Sequence, residues 1–208
     1  VERSRGLGDV YKRQRLFRIS FSGELAYEIA IPRRYADFFI KEISEIGKKY
    51  NLVPYGTEAL GVMRIEKGHA AGNELNGQTT ANNLGLGKMV SKLNDCIGNT
   101  MSEREELNKE NTLKLVGFIP TNKNQSLVAG SHFIEKGQTE NLENDQGWMS
   151  SVAFSPMLKH SIGLGYIIRG NQRYGEKVYA VNPLRKEIIE VEIHSPHFYD
   201  PEGELLRG

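Results

Sequence analysis

The sequence predicts an α+β protein, in which a mixed segment of strands and helices precedes a small antiparallel β-barrel or sandwich. Two observations lead to this prediction. Before about residue 110, strand-like alternation of apolar residues is interleaved with helical spacing, whereas the remainder consists of short strand-like runs separated by turn residues. A chain of 208 residues is long enough to bury a core in one domain or in two small ones.

Residues 1–14, VERSRGLGDVYKRQ, show no apolar period and predict a solvated, disordered tail. A sharper interpretation is that GDVYKRQ is the translation of a transposase adapter left on a sequencing read. True coding sequence would then begin at about Arg15, and the natural protein would continue upstream. On that interpretation the tail takes no part in the fold.

The first strand-like runs are LFRISFS, residues 16–22, and LAYEIAI, residues 25–31. The glycine that joins them, Gly23, predicts one bent strand or a β-bulge. Because strand side chains alternate between faces, Glu28 would share its face with two alanines, opposite the large apolar residues. The alternation assigns these residues to the core: Tyr27, Ile29 and Ile31. A glutamate with open space beside it is either solvated, as most surface glutamates are, or a ligand contact.

Two helices are predicted next. Apolar residues recur at helical spacing from Tyr35 to Tyr50, after Pro32, and give one apolar stripe opposite a charged face. A second helix is predicted to begin at Thr57, with Met63 among its apolar positions, and to end at Gly68, since glycine is the preferred residue just past a helix end.

Residues 70–100 are rich in Gly, Asn and Thr and predict loops around a short apolar element at residues 84–90. The charged run at residues 102–111 predicts a solvated helix end or linker. Composition changes after it, so the predicted domains are residues 15–110 and 111–208. The second domain contains strand-like runs at barrel or sandwich spacing: KLVGFI, SLVAG, MSSVAF, HSIGLGYII, EKVYAV and EIIEVEIH.

The charges of the chain nearly cancel, with 27 basic and 26 acidic residues, so no global field recruits nucleic acid or a membrane surface. Apolar runs stay well short of the length that spans a bilayer, and a secretory signal pattern is absent. The single cysteine, Cys96, argues against an intrachain disulfide or a multi-cysteine metal site and fits a reducing compartment. The cytoplasm is therefore the expected location.

Several motifs have ordinary structural explanations. RIEKGH, residues 64–69, collects charge at a helix end, where the helix dipole alone favours basic groups. His69 has no second histidine or cysteine at ligand spacing, so no metal site is predicted. Ser155 precedes a proline outside any Gly-x-Ser-x-Gly elbow. The Gly163-Leu164-Gly165 pair lacks the third glycine of a dinucleotide loop.

A set of stretches, taken together in their order and spacing, resembles the folate-binding aminomethyltransferase family. The stretches are FSGELAYEI, GTEALGVMRIEKGH, GNELNGQTTANNLGLG, VGF and SSVAFSPMLKHSIGLGYI. The resemblance covers about Arg18 to Gly208 and implies a partial folate-binding aminomethyltransferase domain followed by a β-barrel. Within the family, the ending SPHFYDPEGELLRG is most similar to the branch formed by sarcosine oxidase alpha subunits. The glycine-cleavage branch usually has Ala-Arg-Asp near Ala59, and another branch has cysteine at the place of His69. This chain has neither feature, which favours the sarcosine oxidase branch.

The resemblance also implies site residues. Glu28 corresponds to the glutamate that binds the pterin ring, whose adjacent N–H donors can engage both carboxylate oxygens. Phe21 lies where several members have a tyrosine beside the folate, so its ring can pack but offers no hydroxyl. Arg64 would serve the glutamyl tail of folate or orient the surroundings of Glu28. The family's aspartate for one-carbon transfer lies upstream of the Glu28 strand, so no catalytic residue is implied in this chain.

The implied function is that of an enzyme part which binds tetrahydrofolate and captures the one-carbon unit of sarcosine demethylation as 5,10-methylenetetrahydrofolate. Its partners would be the other sarcosine oxidase subunits of a hetero-oligomer, with FAD, FMN and NAD bound elsewhere in that complex. The chain alone is expected to be inactive. Three alternatives stay open: part of a glycine-cleavage aminomethyltransferase, part of a dimethylglycine dehydrogenase, and a folate-binding module without catalysis.

Overall fold

The computed structural model describes residues 15–90 and 97–207, and the predictions for the tail at residues 1–14 and for Cys96 lie outside the described residues. The described chain forms two compact units. One contains the chain up to Gly61 together with the segment from Glu202 onward, and the other is Val62–Pro201. The predicted α+β class is confirmed, with helices beside a closed antiparallel barrel. The sequence-based domain boundary near residue 110 stays a prediction.

The first unit opens with two short antiparallel strands, β1 (Arg15–Phe17) and β2 (Glu28–Ala30). Gly23 lies in their connection with a φ of 91°, a conformation that glycine adopts without steric cost. Its N–H donates to the Ser20 hydroxyl at 3.0 Å. The prediction of one bent strand or a bulge is therefore wrong, because the chain turns back and pairs the two pieces with each other.

The predicted helices are both present: α1 (Ala36–Gly47), flanked by 3-10 turns at Arg33–Tyr35 and Lys48–Tyr50, and α2 (Thr57–Lys67). The apolar stripe of α1 is only partly covered: Phe38 is 59% and Ile46 54% exposed, whereas Phe39 and Ile43 are half-buried. In the strand segment, Tyr27 is 54% and Ile29 41% exposed. The assignment of Tyr27 and Ile29 to a core is thus wrong for this chain. A pair of three-residue strands cannot cover such side chains by itself.

Helix α2 ends as the sequence predicts. Gly68 has a φ of 78°, its N–H donates to the Ile65 carbonyl at 3.0 Å, and the His69 N–H donates to the Arg64 carbonyl at 2.8 Å. These two bonds are the pair that closes a Schellman motif. The following residues form turns up to a 3-10 turn at Gly87–Met89, and short exposed helices follow at α3 (Asn99–Ser102) and α4 (Glu105–Asn108).

The second unit is built on a closed six-stranded antiparallel barrel with the order β3-β6-β5-β4-β7-β8. Its strands are β3 (Leu113–Pro120), β4 (His132–Ile134), β5 (Gly147–Ser155), β6 (His160–Ile168), β7 (Lys177–Asn182) and β8 (Glu187–His194). The resemblance implied a barrel, and the barrel is confirmed. After it, the chain ends in the first unit with a short helix, α5 (Glu204–Arg207).

One predicted strand does not form. In SLVAG, the Leu127 N–H donates to the Ser161 hydroxyl at 3.1 Å, and the Ser131 N–H after it donates to the Val128 carbonyl at 3.3 Å. Among the described residues, only the last one of this segment bonds to the backbone of a strand, through the Gly130 N–H and the Met149 carbonyl at 2.8 Å, so the segment forms no continuous ladder. The strand begins just beyond it, at His132, because the ladder partners of β5 and β7 are available there.

Strands β3 and β6 bury both of their faces. Inside the barrel, the rings of Phe118 and Phe133 stack with centroids 4.0 Å apart. Outside it, fully buried Leu164 and Tyr166 pack in a second apolar cluster that includes Ile65 of α2. Burial on both faces explains why HSIGLGYII reads as a continuous apolar run, and it fixes the end of α2 against the barrel.

Candidate functional site

Glu28, the residue implied for ring binding, lies at the start of β2, opposite Phe17. Its side chain is exposed. Among the hydrogen bonds and ion pairs of the described residues, none engages its carboxylate. An exposed, unengaged carboxylate on a short strand can accept two hydrogen bonds from adjacent N–H groups of a ligand.

Phe21 lies in the connection between β1 and β2 and is 38% exposed. The same connection is tied to the end of the chain, where the Leu25 N–H donates to the Leu205 carbonyl at 3.0 Å. A second tie runs from the Arg18 guanidinium to the Arg207 carbonyl at 2.8 Å. The structure therefore places Glu28 and Phe21 in one unit and on one short stretch of chain, whereas Arg64 belongs to the other unit.

Arg64 is almost completely buried, with 9% exposure, and its guanidinium donates three hydrogen bonds to protein partners. It donates to the Glu74 carboxylate at 2.9 Å and to the Ser151 hydroxyl at 2.8 Å. A longer bond reaches the His69 carbonyl at 3.3 Å. These contacts join the end of α2 to the following loop and to strand β5.

Glu74 is the hub of this buried cluster and has no exposed surface. Its carboxylate accepts hydrogen bonds from the hydroxyls of Ser150 and Ser151, each at 2.6 Å, and from the Ala71 N–H at 2.9 Å. Burial alone would raise the pKa of the Glu74 carboxyl. The hydrogen bonds and the charge of Arg64 outweigh burial and hold that pKa below its ordinary value, so the group is ionised at neutral pH.

Tyr166 closes the cluster on the side of β6. Its hydroxyl donates to the Glu74 backbone carbonyl at 2.7 Å. Burial, reinforced by the negative charge of Glu74, raises the pKa of Tyr166 to about 12, so the hydroxyl remains a donor at any physiological pH. The loop at Glu74 is thus fixed to the barrel through both its side chain and its backbone.

The next residues of α2 are also buried and paired. The Ser155 hydroxyl donates to the Glu66 carboxylate and accepts from the Leu158 N–H at 3.0 Å. Lys67 forms an ion pair with Asp200 at 3.0 Å, with side-chain exposures of 9% and 10%. The charged run RIEKGH thus has a structural role beyond the helix dipole, because the side chains of Arg64, Glu66 and Lys67 anchor α2 to the barrel and to the segment after β8.

Sequence reasoning missed the roles of Glu74, Ser150 and Ser151. Glu74 stands in a loop rich in Gly and Asn, a context that gives no sign of burial. The paired serines gave a weak indication of a buried polar contact. They interrupt an apolar strand-like run, and a buried hydroxyl needs a hydrogen-bond partner. Only the folded chain shows which carboxylate that partner is.

The described residues contain neither a cluster that could hold a metal ion nor a membrane-spanning helix. No group of three or more histidine, cysteine, aspartate or glutamate side chains among them is arranged to hold a metal ion. None of the helices in residues 15–90 and 97–207 is long and apolar enough to cross a membrane.

Family models match both parts of the chain. The model of the GCVT N-terminal domain matches residues 8–94, and that of the glycine cleavage T-protein C-terminal barrel domain matches residues 114–200. The first match begins inside the segment that the sequence predicted to be adapter-derived.

Among curated relatives, the chain is similar to the sarcosine oxidase subunit alpha of Rhizobium meliloti (strain 1021), with 43% identity over 92% of this chain and 20% of the relative. The sarcosine oxidase subunit alpha of Corynebacterium sp. (strain P-1) is 35% identical over 93% of this chain. The aminomethyltransferase of Chloroherpeton thalassium is 31% identical over 83% of this chain and 46% of the relative.

Among solved structures, the chain resembles the glycine cleavage system aminomethyltransferase T from Bartonella henselae. The TM-score is 0.66 at 20% identity, over 90% of this chain and 50% of that chain. The likeness shows a shared fold. The chain thus spans about a fifth of the sarcosine oxidase relatives and about half of the aminomethyltransferases.

Proposed function

This chain belongs to the glycine cleavage T-protein family, and on that basis we propose that it is the tetrahydrofolate-binding part of a sarcosine oxidase alpha subunit. In the complete enzyme it would capture the one-carbon unit of sarcosine demethylation as 5,10-methylenetetrahydrofolate. The similarity to sarcosine oxidase alpha subunits, at 43% identity, favours that branch over the aminomethyltransferases at 31%.

The observation that carries the folate proposal is the state of Glu28. Its carboxylate is exposed, and no hydrogen bond or ion pair of the described residues occupies it. The pterin ring offers adjacent N–H groups, which pair with both oxygens of one carboxylate. Tetrahydrofolate supplies the nitrogens that accept the one-carbon unit. Glu28 orients the pterin ring, so it would raise the rate by holding those nitrogens close to the one-carbon unit.

The other implied residues have supporting roles in this proposal. The exposed ring of Phe21 would pack beside the folate without a hydrogen bond. Arg64 donates to Glu74, Ser151 and His69, which favours a positioning role over direct contact with the glutamyl tail. It would hold the loop after α2 against the barrel.

The remaining parts of the proposal concern the whole enzyme. Its partners would be the other subunits of a hetero-oligomer, as the word "subunit" in the relatives' names suggests. FAD, FMN and NAD would bind outside this chain, and the complex would act in the cytoplasm.

The proposal is tested with Glu28→Ala in the complete enzyme. Loss of a charge-assisted hydrogen-bonding partner should weaken tetrahydrofolate binding by about 10-fold or more, while amine oxidation at the flavin continues. Titration calorimetry measures the first effect and oxygen uptake with sarcosine the second. The matched control is Glu24→Ala, an exposed carboxylate in the same connection. Equal folate affinity for both variants would remove Glu28 from the site.

The alternatives predict different results in the same preparation. A glycine-cleavage aminomethyltransferase would not consume sarcosine and would depend on an aminomethylated carrier protein. A folate-binding module without catalysis would bind tetrahydrofolate through Glu28 yet form no methylenetetrahydrofolate. Sarcosine-dependent formation of methylenetetrahydrofolate, faster than the uncatalysed condensation of free formaldehyde with tetrahydrofolate, excludes both.

A further inference from the structure

A cavity lies in the barrel unit, and none of the residues proposed to bind folate lines it. It encloses about 310 Å³ between the loop before Asn83, the segment that leads into β3, and the outer face of the barrel. Two aromatic residues form one wall, Trp148 of β5 and Tyr166 of β6, with ring centroids 5.4 Å apart. Its volume is at the lower end of the range for small-molecule sites, which suits a ring system better than a full dinucleotide.

Thr112 provides an independent sign that something binds here. Thr112 lines this cavity, and its hydroxyl oxygen is shielded from solvent and lacks a hydrogen-bond partner among the described residues. A buried hydroxyl without a partner is costly, and such groups are rare in folded proteins. A ligand with a hydrogen-bonding atom at its edge would satisfy the Thr112 hydroxyl.

The rim of the cavity is polar and carries no lysine or arginine among its described lining residues. Gln78 and Asn111 present carboxamides, each with an acceptor beside a donor, and Glu106 presents a carboxylate. The Lys109 ammonium nearest in sequence is paired with Glu106 at 2.6 Å. Carboxamides match the alternating donors and acceptors along the edge of a nitrogen heterocycle. A phosphate would meet a carboxylate here.

We propose that this cavity binds an uncharged bicyclic nitrogen heterocycle of purine size, stacked on Trp148 and hydrogen-bonded to Thr112 and the carboxamide rim. An exocyclic amino group would donate to Glu106. The site shares no lining residue with the one proposed for folate, and it selects a base or nucleoside over the corresponding nucleotide.

The chain contains a single tryptophan, so fluorescence excited beyond the absorption of tyrosine reports on Trp148 in this wall. Titrating the full chain with adenosine should change that fluorescence saturably, and AMP should require at least about 10-fold higher concentration because its phosphate is unpaired in the site. Absence of a saturable change with adenosine, or equal responses to adenosine and AMP, would overturn the proposal.

Thr112→Val tests the hydroxyl directly. Adenosine should bind about 5- to 10-fold more weakly, while thermal stability stays equal or rises because the removed hydroxyl had no partner. Thr121→Val, at an exposed position beyond β3, is the matched control and should bind as the parent chain does. Unchanged affinity of Thr112→Val for adenosine would contradict the assignment. Displacement of adenosine by tetrahydrofolate would also contradict it, because the cavity would then be a pterin site.

Discussion

At the scale of single residues, the Arg64 guanidinium and the Glu74 carboxylate form a buried pair at 2.9 Å, although ten residues separate them in sequence. A buried pair of this kind is sensitive to the loss of one member, because the other charge is left without compensation. The hydroxyls of Ser150 and Ser151 complete the shell of Glu74. The cluster therefore behaves as a unit, with each member dependent on the rest.

Arg64→Met should lower the free energy of unfolding by about 3–5 kcal/mol, because it leaves the Glu74 carboxylate buried without its cation. Urea denaturation followed by circular dichroism measures the change. Lys41→Met is the control, since Lys41 pairs with Asp37 at the surface with side-chain exposures of 73% and 83%, and should change stability by less than about 0.5 kcal/mol. Similar effects for both variants would show that burial of the Arg64 pair has no energetic consequence.

The Glu74 carboxyl should also make stability depend on pH. Its pKa in the folded chain lies below the ordinary value of 4.5. The folded state therefore gains stability from ionised Glu74 above pH 4.5, and that gain is lost as pH falls below 4.5 through the folded pKa.

Glu74→Gln removes this dependence. The variant should be less stable than the parent at pH 7 and should lose stability less steeply below pH 4.5. Glu187→Gln, at an exposed carboxylate on β8, is the matched control and should change stability at pH 7 by less than about 0.5 kcal/mol. Parallel profiles for the parent chain and Glu74→Gln would contradict a lowered pKa. The measurement is chemical denaturation at a series of pH values.

At the scale of elements, hydrogen bonds and an ion pair join the end of α2 to the segment after β8. The Glu66 carbonyl accepts hydrogen bonds from the Phe198 and Tyr199 N–H groups at 2.9 and 3.0 Å, and Lys67 pairs with Asp200. A Cβ on Gly68 would lie 2.3 Å from the Pro196 carbonyl oxygen. The Schellman turn thus requires glycine both for its positive φ and for this close approach.

Gly68→Ala should destabilise the chain by about 2 kcal/mol or more, because it combines left-handed strain with a contact to backbone atoms that cannot move freely. Gly61→Ala is the matched control in the same helix. It meets nothing within 4 Å, and should raise stability by about 0.5–1 kcal/mol through helix propensity. Thermal denaturation distinguishes the two, and equal melting temperatures for both variants would refute the role of Gly68.

At the scale of the whole molecule, the two units differ in how well they cover their apolar residues. The barrel unit contains fully buried side chains such as Phe118, Phe133 and Tyr166. In the other unit, Leu16, Phe17 and Ile29 of the short strands are about 40% exposed or more. Apolar side chains beside open strand edges favour contact with another polypeptide.

The 208-residue chain should therefore self-associate, with the sedimentation coefficient rising with concentration. Ile29→Lys should reduce this association, because it places a charge on the open strand. Leu142→Lys is the control, since Leu142 is 90% exposed and belongs to the barrel unit. A chain that stays monomeric at all concentrations would contradict the prediction.

Much of the fold was predictable because its signals are local. Helix α2 and its end at Gly68 follow from apolar spacing and glycine conformation, and five strands of the barrel follow from apolar runs between turns. The SLVAG segment was mispredicted because its Leu127 N–H bonds to the Ser161 hydroxyl instead of a neighbouring strand's carbonyl, which apolarity does not reveal. Gly23 was misread because a hairpin and a bulge use the same residue.

By itself, the sequence determined the α+β class, the family and Glu28 as the residue to test, since these rest on local periodicity and on motifs in order. The tertiary structure alone decided the partners of Arg64, the burial of Glu74 and the solvent-shielded hydroxyl of Thr112. Those facts depend on contacts such as that of Ser151 with Arg64, 87 residues away. Pairing over such separations is set by how the barrel closes, and no local pattern encodes it.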